Sequence, residues 1–184
     1  HLLSRVPAHV VVVCDEAYFE YVRSPQFPDS MAYVKQGRNV IVLRTFSKIY
    51  GLAGLRIGYG VTTAEIANFL NRLRPPFNAN SLAQRAALAA LGDDEHVARS
   101  RVVNEAGMGQ VVKGLTDLGF APIPSEANFV YVDIRRDGRT VFDAMLREGI
   151  IIRHIEGSMV RVTIGLEEEN REFLAVFKRV IHSQ

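Results

Sequence analysis

The sequence predicts an α/β chain in which a strand-rich region with a mostly parallel sheet is followed by a smaller α+β region. Two apolar, β-branched runs, 8–14 and 39–44, have the composition of strands buried on both faces, as in parallel sheets. After the Pro- and Asn-rich stretch 74–80, helical and strand patterns follow one another in the order typical of an α+β domain. We therefore expect one domain over 1–75 and a second over 76–184.

In the first region, composition and periodicity predict strands, helices and polar loops. The predicted strands are 8–14, 39–44 and 55–61. The loops are 23–38, which contains a short helix around 30–36, and the Gly-rich segment 45–54. Residues 63–73 are predicted as a helix, because Thr63 is a suitable N-cap and apolar side chains recur on one face. Pro75 and Pro76 end this helix.

In the second region, helices alternate with short strands. The predicted helices are 81–91, 95–118, 140–148 and 167–181, and the predicted strands are 128–133, 150–153 and 159–164. The helix 95–118 ends at Gly119, a residue type that is common after a helix. Gly107 and Gly109 weaken its helical propensity locally.

Composition excludes several classes of protein. The 184 residues are 48% hydrophobic and 23% charged, which is typical of a globular domain. The net charge of +2 is too small and too scattered to indicate a nucleic-acid partner, and no apolar run has the length of a membrane helix. Cys14 is the single cysteine, so an intramolecular disulfide is excluded and a reducing, cytoplasmic compartment is expected. We predict no metal site.

Polar side chains follow two of the predicted buried strands. Asp15 comes directly after the first strand, whereas Thr45, Ser47 and Lys48 follow the second. Arg56 comes shortly afterwards, behind the Gly-rich segment GLAG. Open α/β sheets bind ligands at the carboxyl ends of their strands, so we expect these side chains to face one crevice.

The chemistry of these side chains suits a phosphorylated aldehyde. A lysine in a partly desolvated site can lose its proton, and the neutral amine can then attack an aldehyde to form an imine. Thr45, Ser47 and Arg56 suit a phosphate dianion, and Asp15 could keep a pyridinium nitrogen protonated. Taken alone, Lys48 could also be a solvated surface charge, and Asp15 a strand-ending turn residue.

Five motifs in order resemble the fold-type I pyridoxal-phosphate-dependent aminotransferases, most closely the histidinol-phosphate aminotransferase branch. The motifs are DEAYFEYV, TFSKIYGLAGLRIGYG, EANFVYV, GIIIRHI and MVRVTIGLEEEN. The resemblance covers nearly the whole chain. It implies that the first region is the C-terminal part of the family's large cofactor-binding domain, and that the second region is the family's small C-terminal domain.

The resemblance implies roles for residues at the cofactor. Lys48 would form the Schiff base with pyridoxal 5'-phosphate and then act as the proton shuttle. Asp15 would pair with the pyridine nitrogen, and Tyr18 would hydrogen-bond the phenolic oxygen of the ring. The phosphate group would be held by Thr45, Ser47 and Arg56.

The resemblance also implies a substrate site and a reaction. Arg161 would bind the substrate α-carboxylate, and Arg153 would lie near the phosphate or carboxylate end. Asn128 has two interpretations, a structural hydrogen bond or a site role. The reaction would be transamination between histidinol phosphate or imidazole-acetol phosphate and 2-oxoglutarate or glutamate, in a homodimer. The alternatives are an aromatic aminotransferase, a threonine-phosphate decarboxylase or a catalytically inert fragment.

The chain is about half as long as a two-domain member of this family would be. The resemblance places the aromatic residue that stacks on the cofactor, the backbone nest for its phosphate and a tyrosine from the partner subunit in sequence that precedes His1. We therefore expect that the 184 residues alone do not form a complete pocket and do not turn over efficiently.

Overall fold

The computed structural model describes residues 3–183. The chain divides into two compact units, His1–Val97 and Ala98–Gln184. The division falls inside a long helix, Asp94–Asp117. The assignment of 1–75 and 76–184 to separate domains stays a prediction, because a compact unit is defined by its contacts and a domain by independent folding.

The first unit is built on a three-stranded sheet. Its strands are β1 (Val12–Asp15), β2 (Val40–Thr45) and β3 (Gly58–Val61), in the spatial order β1-β2-β3. Its helices are α1 (Ser30–Lys35), α2 (Ala64–Leu73) and α3 (Ser81–Leu91), with short 3-10 turns at Phe19–Tyr21 and Ala53–Leu55. As expected, β1 and β2 are parallel, and Val40 and Val42 of the central strand are buried. These pairings bring the carboxyl ends of β1 and β2 to the same edge of the sheet.

Two strands are shorter than predicted, for local reasons. Strand β1 begins only at Val12, because the amide of Val10 donates to the carbonyl of Pro7 and closes a turn. Strand β3 begins only at Gly58, because the preceding 3-10 turn ends at Arg56 in the left-handed conformation, with φ of 52°. Strand β3 also runs antiparallel to β2, a direction that residue periodicity does not encode.

The second unit packs helices on an antiparallel sheet. The long helix α4 (Asp94–Asp117), whose first turn belongs to the first unit, is followed by β4 (Phe129–Asp133), α5 (Gly138–Arg147), β5 (Arg153–Glu156), β6 (Met159–Thr163) and α6 (Glu167–His182). The strand order is β4-β6-β5. Its core combines inward-facing strand residues with helix residues, and the largest fully buried members are Phe177, Leu115, Ile134 and Met145.

The prediction of a strand over 150–153 is wrong, because β5 begins where that segment ends. Ile152 is buried and Ile150 packs against the core, but Ile151 is 80% exposed. The ladder with β6 starts only at Arg153, which lies opposite Arg161. The apolar run therefore fills the core as a connecting segment, and the strand that follows is mostly polar.

Helix α5 begins two residues earlier than predicted, because Asp137 is its N-cap. The Asp137 carboxylate accepts from the Thr140 amide at 2.9 Å and from the Thr140 hydroxyl at 2.5 Å. The hydrogen bond from the Thr140 hydroxyl, followed by the one from the Thr140 amide, holds the pKa of Asp137 below its usual value. The carboxylate therefore satisfies an amide that has no partner within the helix.

Two glycines in α4 make a matched test of helix packing. A Cβ at Gly109 would meet nothing within 4 Å, whereas a Cβ at Gly107 would lie 2.5 Å from Ile164 Cγ2 and 2.7 Å from Asn170 Nδ2. Asn170 cannot yield easily, since it makes two 2.9 Å hydrogen bonds with the backbone of Gly165. We expect Gly109→Ala to raise the free energy of unfolding by about 0.5–1 kcal/mol, and Gly107→Ala to lower it by about 1–3 kcal/mol.

Urea denaturation of both variants measures this difference. Equal effects of the two substitutions would contradict the close approach of α4 to the Ile164–Asn170 segment.

Candidate active site

The turn after β2 presents Lys48 between two buried apolar anchors. Phe46 and Ile49 are only 4% and 2% exposed, which fixes the backbone on either side of the lysine. The Ser47 amide donates to Thr45 Oγ1 at 3.0 Å, and the Gly51 amide donates to the Lys48 carbonyl at 2.9 Å. As a result Lys48 is half-buried. It is neither a core residue nor a freely solvated surface lysine.

An aromatic ring lies beside the Lys48 amine. Lys48 Nζ is 5.1 Å from the centroid of the Tyr18 ring, a distance at which a cation and an aromatic face attract each other. Tyr18 directly precedes the 3-10 turn that follows β1. The tyrosine and the lysine, which are 30 positions apart in sequence, are therefore neighbours in the fold.

Asp15 ends β1 at the same edge of the sheet. It lies opposite Leu43 in the parallel ladder, and its Oδ1 accepts from the Ala17 amide at 3.1 Å. This local bond shapes the turn after the strand and leaves the other carboxylate oxygen, Oδ2, for a ligand. The side chain is exposed in this chain.

Arg56 reaches the site from a tight loop between β2 and β3. Its left-handed backbone is unusual for a residue with a side chain, and its Nη1 donates to the Ala53 carbonyl at 2.8 Å. The loop returns very close to β2, since a Cβ at Gly58 would lie 2.7 Å from the Arg44 carbonyl oxygen. The close return of the chain at Gly58 leads Arg56 back to the end of β2.

All five side chains of the predicted crevice line one open pocket of about 550 Å³. They are Asp15, Thr45, Ser47, Lys48 and Arg56. The sequence-based expectation that they would converge is therefore confirmed for their placement, while their individual roles stay predictions. These five side chains supply one amine, one carboxylate, two hydroxyls and one guanidinium, and Arg44 lines the same pocket. That donor set fits a phosphorylated aldehyde that carries a ring nitrogen.

Two features of this region were not predicted from the sequence. Tyr59 of β3 also lines the pocket and packs against Phe46, with ring centroids 5.9 Å apart. Arg44 forms an ion pair with the buried Glu16, with Nη2 2.8 Å from Oε2, and its guanidinium stacks 3.5 Å from the centroid of the Phe19 ring. The only sequence signal for this pair is that Glu16 adjoins Asp15 and Arg44 adjoins Thr45.

The second unit brings the two predicted substrate arginines together. Arg153 of β5 and Arg161 of β6 are directly opposite in the antiparallel ladder. The Arg161 guanidinium lies 5.0 Å from the centroid of the Phe129 ring, and its buried Nε has no hydrogen-bond partner among residues 3–183. Like charges placed directly opposite destabilise a sheet, so the pair is more easily explained by an anionic ligand than by stability.

The backbone of Asn128 makes a hydrogen bond at the start of β4. Its backbone carbonyl accepts from the Ile164 amide at 2.9 Å, next to the ladder between β4 and β6. A role of its side chain in the site stays a prediction.

The described span gives two further findings. Residues 3–183 contain no cluster of three or more His, Cys, Asp or Glu side chains that could hold a metal ion. No helix within that span combines the length and the apolar composition that crossing a bilayer requires.

Comparison with known proteins gives consistent matches. The model of the family described as aminotransferase class I and II matches residues 1–177. Histidinol-phosphate aminotransferase 1 of Nitrosococcus oceani is 52% identical over 183 residues, which cover 97% of this chain and 50% of that protein. Histidinol-phosphate aminotransferase of Moorella thermoacetica is 51% identical over 184 residues, with 97% and 48% coverage. The chain thus spans about half the length of the curated relatives it matches.

Solved structures give the same result for the fold. The crystal structure of histidinol-phosphate aminotransferase from Sinorhizobium meliloti in complex with pyridoxal-5'-phosphate superposes with a TM-score of 0.90 at 31% identity. The match covers 98% of this chain and 51% of that chain. It confirms the predicted fold-type I class. With the family match over 1–177, it shows that the chain belongs to the aminotransferase class I and II family.

Proposed function

We propose that the pocket at Lys48 holds pyridoxal 5'-phosphate, and that the native protein transfers amino groups between histidinol phosphate and 2-oxoglutarate. The observation that carries this proposal is the convergence of Asp15, Lys48 and Arg56 on one pocket. About 50% identity to relatives named for this reaction supports the choice of substrate.

Different residues of the pocket are assigned to different parts of the cofactor. Lys48 provides the amine that holds the aldehyde covalently, and Thr45, Ser47 and Arg56 provide donors for the phosphate. Asp15 would pair with the ring nitrogen, and Tyr18, the neighbour of Lys48, would donate to the phenolic oxygen. When bound, the cofactor supplies a ring that accepts the electron pair left at the substrate α-carbon.

Lys48 also has a role in proton transfer. In the proposed reaction its Nζ would accept the proton of the substrate α-carbon and would then donate that proton to the cofactor carbon. The buried anchors Phe46 and Ile49 restrict the backbone from which this amine swings. Asp15, whose Oδ1 accepts from the Ala17 amide, would offer its Oδ2 to the charged ring nitrogen.

The paired arginines suit both substrates of the proposed reaction. Glutamate and 2-oxoglutarate carry a singly charged α-carboxylate, which one guanidinium binds through two parallel hydrogen bonds. Histidinol phosphate carries a phosphate dianion in place of that carboxylate, and two guanidinium groups match its larger charge. Arg161, with its unpartnered buried Nε, is assigned to the carboxylate. Arg153, directly opposite, is assigned to the phosphate or carboxylate end.

The proposal extends to organisation and location. Residues 1–75 are assigned to the cofactor-binding domain and 76–184 to the small domain, in a protein that acts as a homodimer. The single cysteine supports a reducing, cytoplasmic location.

Transamination assays test the choice of substrate. The native protein, loaded with pyridoxal 5'-phosphate and 2-oxoglutarate, is expected to use histidinol phosphate with a kcat/KM at least about 100-fold above that for phenylalanine, because an anion site discriminates against an amine that lacks the phosphate. Threonine phosphate is the matched control for a phosphorylated amine, and release of carbon dioxide from it would instead identify a decarboxylase. A preference for phenylalanine would reject the proposal in favour of an aromatic aminotransferase.

A further inference from the structure

The turn that carries Lys48 is held mainly by short-range hydrogen bonds. Its backbone bonds connect residues of the turn with each other or with the residue that precedes β3, namely Leu52 to Phe46 at 2.9 Å, Gly51 to Lys48 at 2.9 Å and Phe46 to Ile57 at 3.2 Å. Each of these bonds connects residues within twelve positions of one another. These bonds shape the turn, but none of the three involves the carbonyl of Ile49.

A histidine that is distant in sequence forms a hydrogen bond with the Ile49 carbonyl. His96, in the first turn of α4, places its Nε2 2.8 Å from the Ile49 carbonyl oxygen, 47 positions away in sequence. A carbonyl can only accept, so Nε2 must carry the hydrogen and donate it. Ile49 is 2% exposed, and without this donor its carbonyl would have little access to water.

The position of His96 is itself fixed by the start of its helix. The His96 amide donates to Asp93 Oδ1 at 2.9 Å, the pattern of an N-cap with its third following residue. The histidine is half-buried, so its ring is held between the helix start and the turn. A ring held in this way can restrain the backbone that it contacts.

We propose that His96 is a positioning residue for Lys48. It donates to the residue that directly follows the lysine, and so limits the motion of the backbone from which the amine extends. His96 itself touches neither substrate nor cofactor in this proposal. The inference deepens the proposed function, because restraint of Lys48 matters only if its amine must be placed against an aldehyde.

A pair of amide variants separates this role from general stability. Glutamine has its side-chain nitrogen at about the distance of Nε2, whereas asparagine has the same donor one methylene shorter. We expect His96→Gln to keep the hydrogen bond to Ile49 and His96→Asn to lose it. His182→Asn, at an exposed histidine near the end of α6, controls for the loss of an imidazole.

The first readout does not need the cofactor. Hydrogen exchange at the Gly51 and Leu52 amides of the unliganded chain should be about tenfold faster in His96→Asn than in wild type, and within about twofold in His96→Gln. The second readout is the yield of a borohydride-reduced pyridoxal phosphate adduct at Lys48 when the cofactor is limiting. We expect it to fall about tenfold in His96→Asn and to recover in His96→Gln.

The two measurements distinguish failure of the positioning role from failure of the proposed cofactor site. Equal exchange rates in the Asn and Gln variants would overturn the positioning role, and so would an altered exchange rate without any change in adduct yield. Absence of a Lys48 adduct in the wild-type native protein, with the exchange difference intact, would instead reject the proposed cofactor site and with it the purpose of the restraint. Circular dichroism of each variant confirms that it is folded.

Discussion

Replacing Lys48 should abolish covalent capture of pyridoxal 5'-phosphate and nearly all transamination. Lys48→Arg is the sharper of two useful substitutions, because arginine keeps the charge and length but does not condense with aldehydes at neutral pH. The loss of both the covalent attachment and the proton carrier should lower kcat by at least about 10⁴-fold in the native protein. Lys48→Ala should have a similar effect.

The adduct is the direct measurement. After borohydride reduction of the native protein, peptide mapping should place the modified residue at position 48 in the wild type, with no adduct there in either variant. Lys35→Ala is the matched control, because Lys35 is an exposed lysine of the same unit, at the end of α1. An adduct at position 35, or an unchanged total yield in Lys48→Arg, would show that the pocket lysine is not the reactive amine.

The stability of these variants should change little. Lys48 is half-buried, and its amine lies over the face of Tyr18. Removal of a cation–π contact at an exposed site lowers the free energy of unfolding by about 0.5–1 kcal/mol. A large loss of activity with a nearly unchanged unfolding midpoint would therefore identify a chemical role and exclude a structural one.

The position of this lysine could be predicted because it depends on local and general rules. A buried parallel strand followed by polar residues places them at the carboxyl edge, and Asp15 and Lys48 meet there in the structure. Helix ends were predicted to within two residues where a cap or a glycine marks them, as at Gly92 and Gly119. These signals lie within a few residues of the feature that they determine.

The features that sequence reasoning missed depend on partners far along the chain. The direction of β3 and the register that begins β5 at Arg153 are set by the neighbouring strand, which residue periodicity does not specify. The contact between His96 and Ile49 spans 47 positions, and the Glu16–Arg44 pair spans 28. Taken alone in the sequence, Glu16, Arg44 and His96 would each be interpreted as an ordinary polar surface residue.

The Glu16–Arg44 pair leads to the largest expected loss of stability in the first unit. The Glu16 side chain is only 4% exposed, and both hydrogen bonds from Arg44 go to its Oε2, at 2.8 and 3.1 Å. Its Oε1 has no partner among the described residues. Arg44→Ala would leave a buried carboxylate without a cation and remove the stacking on Phe19, so the free energy of unfolding should fall by about 3–5 kcal/mol.

The double variant should be far less harmful than the single one. Replacement of both partners by apolar residues of similar volume, Glu16→Leu with Arg44→Met, removes the charge along with its partner and should cost no more than about 1–2 kcal/mol. Urea denaturation of the wild type, Glu16→Leu, Arg44→Met and the double variant closes a thermodynamic cycle, in which we expect a coupling energy of at least about 2 kcal/mol. Arg139→Ala, which breaks an exposed pair with Asp143, is the control and should cost less than about 1 kcal/mol.

This cycle also bears on the pocket, because the pair adjoins it on both strands. Glu16 directly follows Asp15 at the end of β1, and Arg44 directly precedes Thr45 and itself lines the pocket. If the pair only stabilises the sheet, the double variant should bind pyridoxal 5'-phosphate as the wild type does. If the pair also holds the two strand ends in register, the double variant should be stable but should bind the cofactor more weakly, since Asp15 and Thr45 would no longer be fixed relative to each other. Additive single effects, with no coupling, would contradict the ion pair itself.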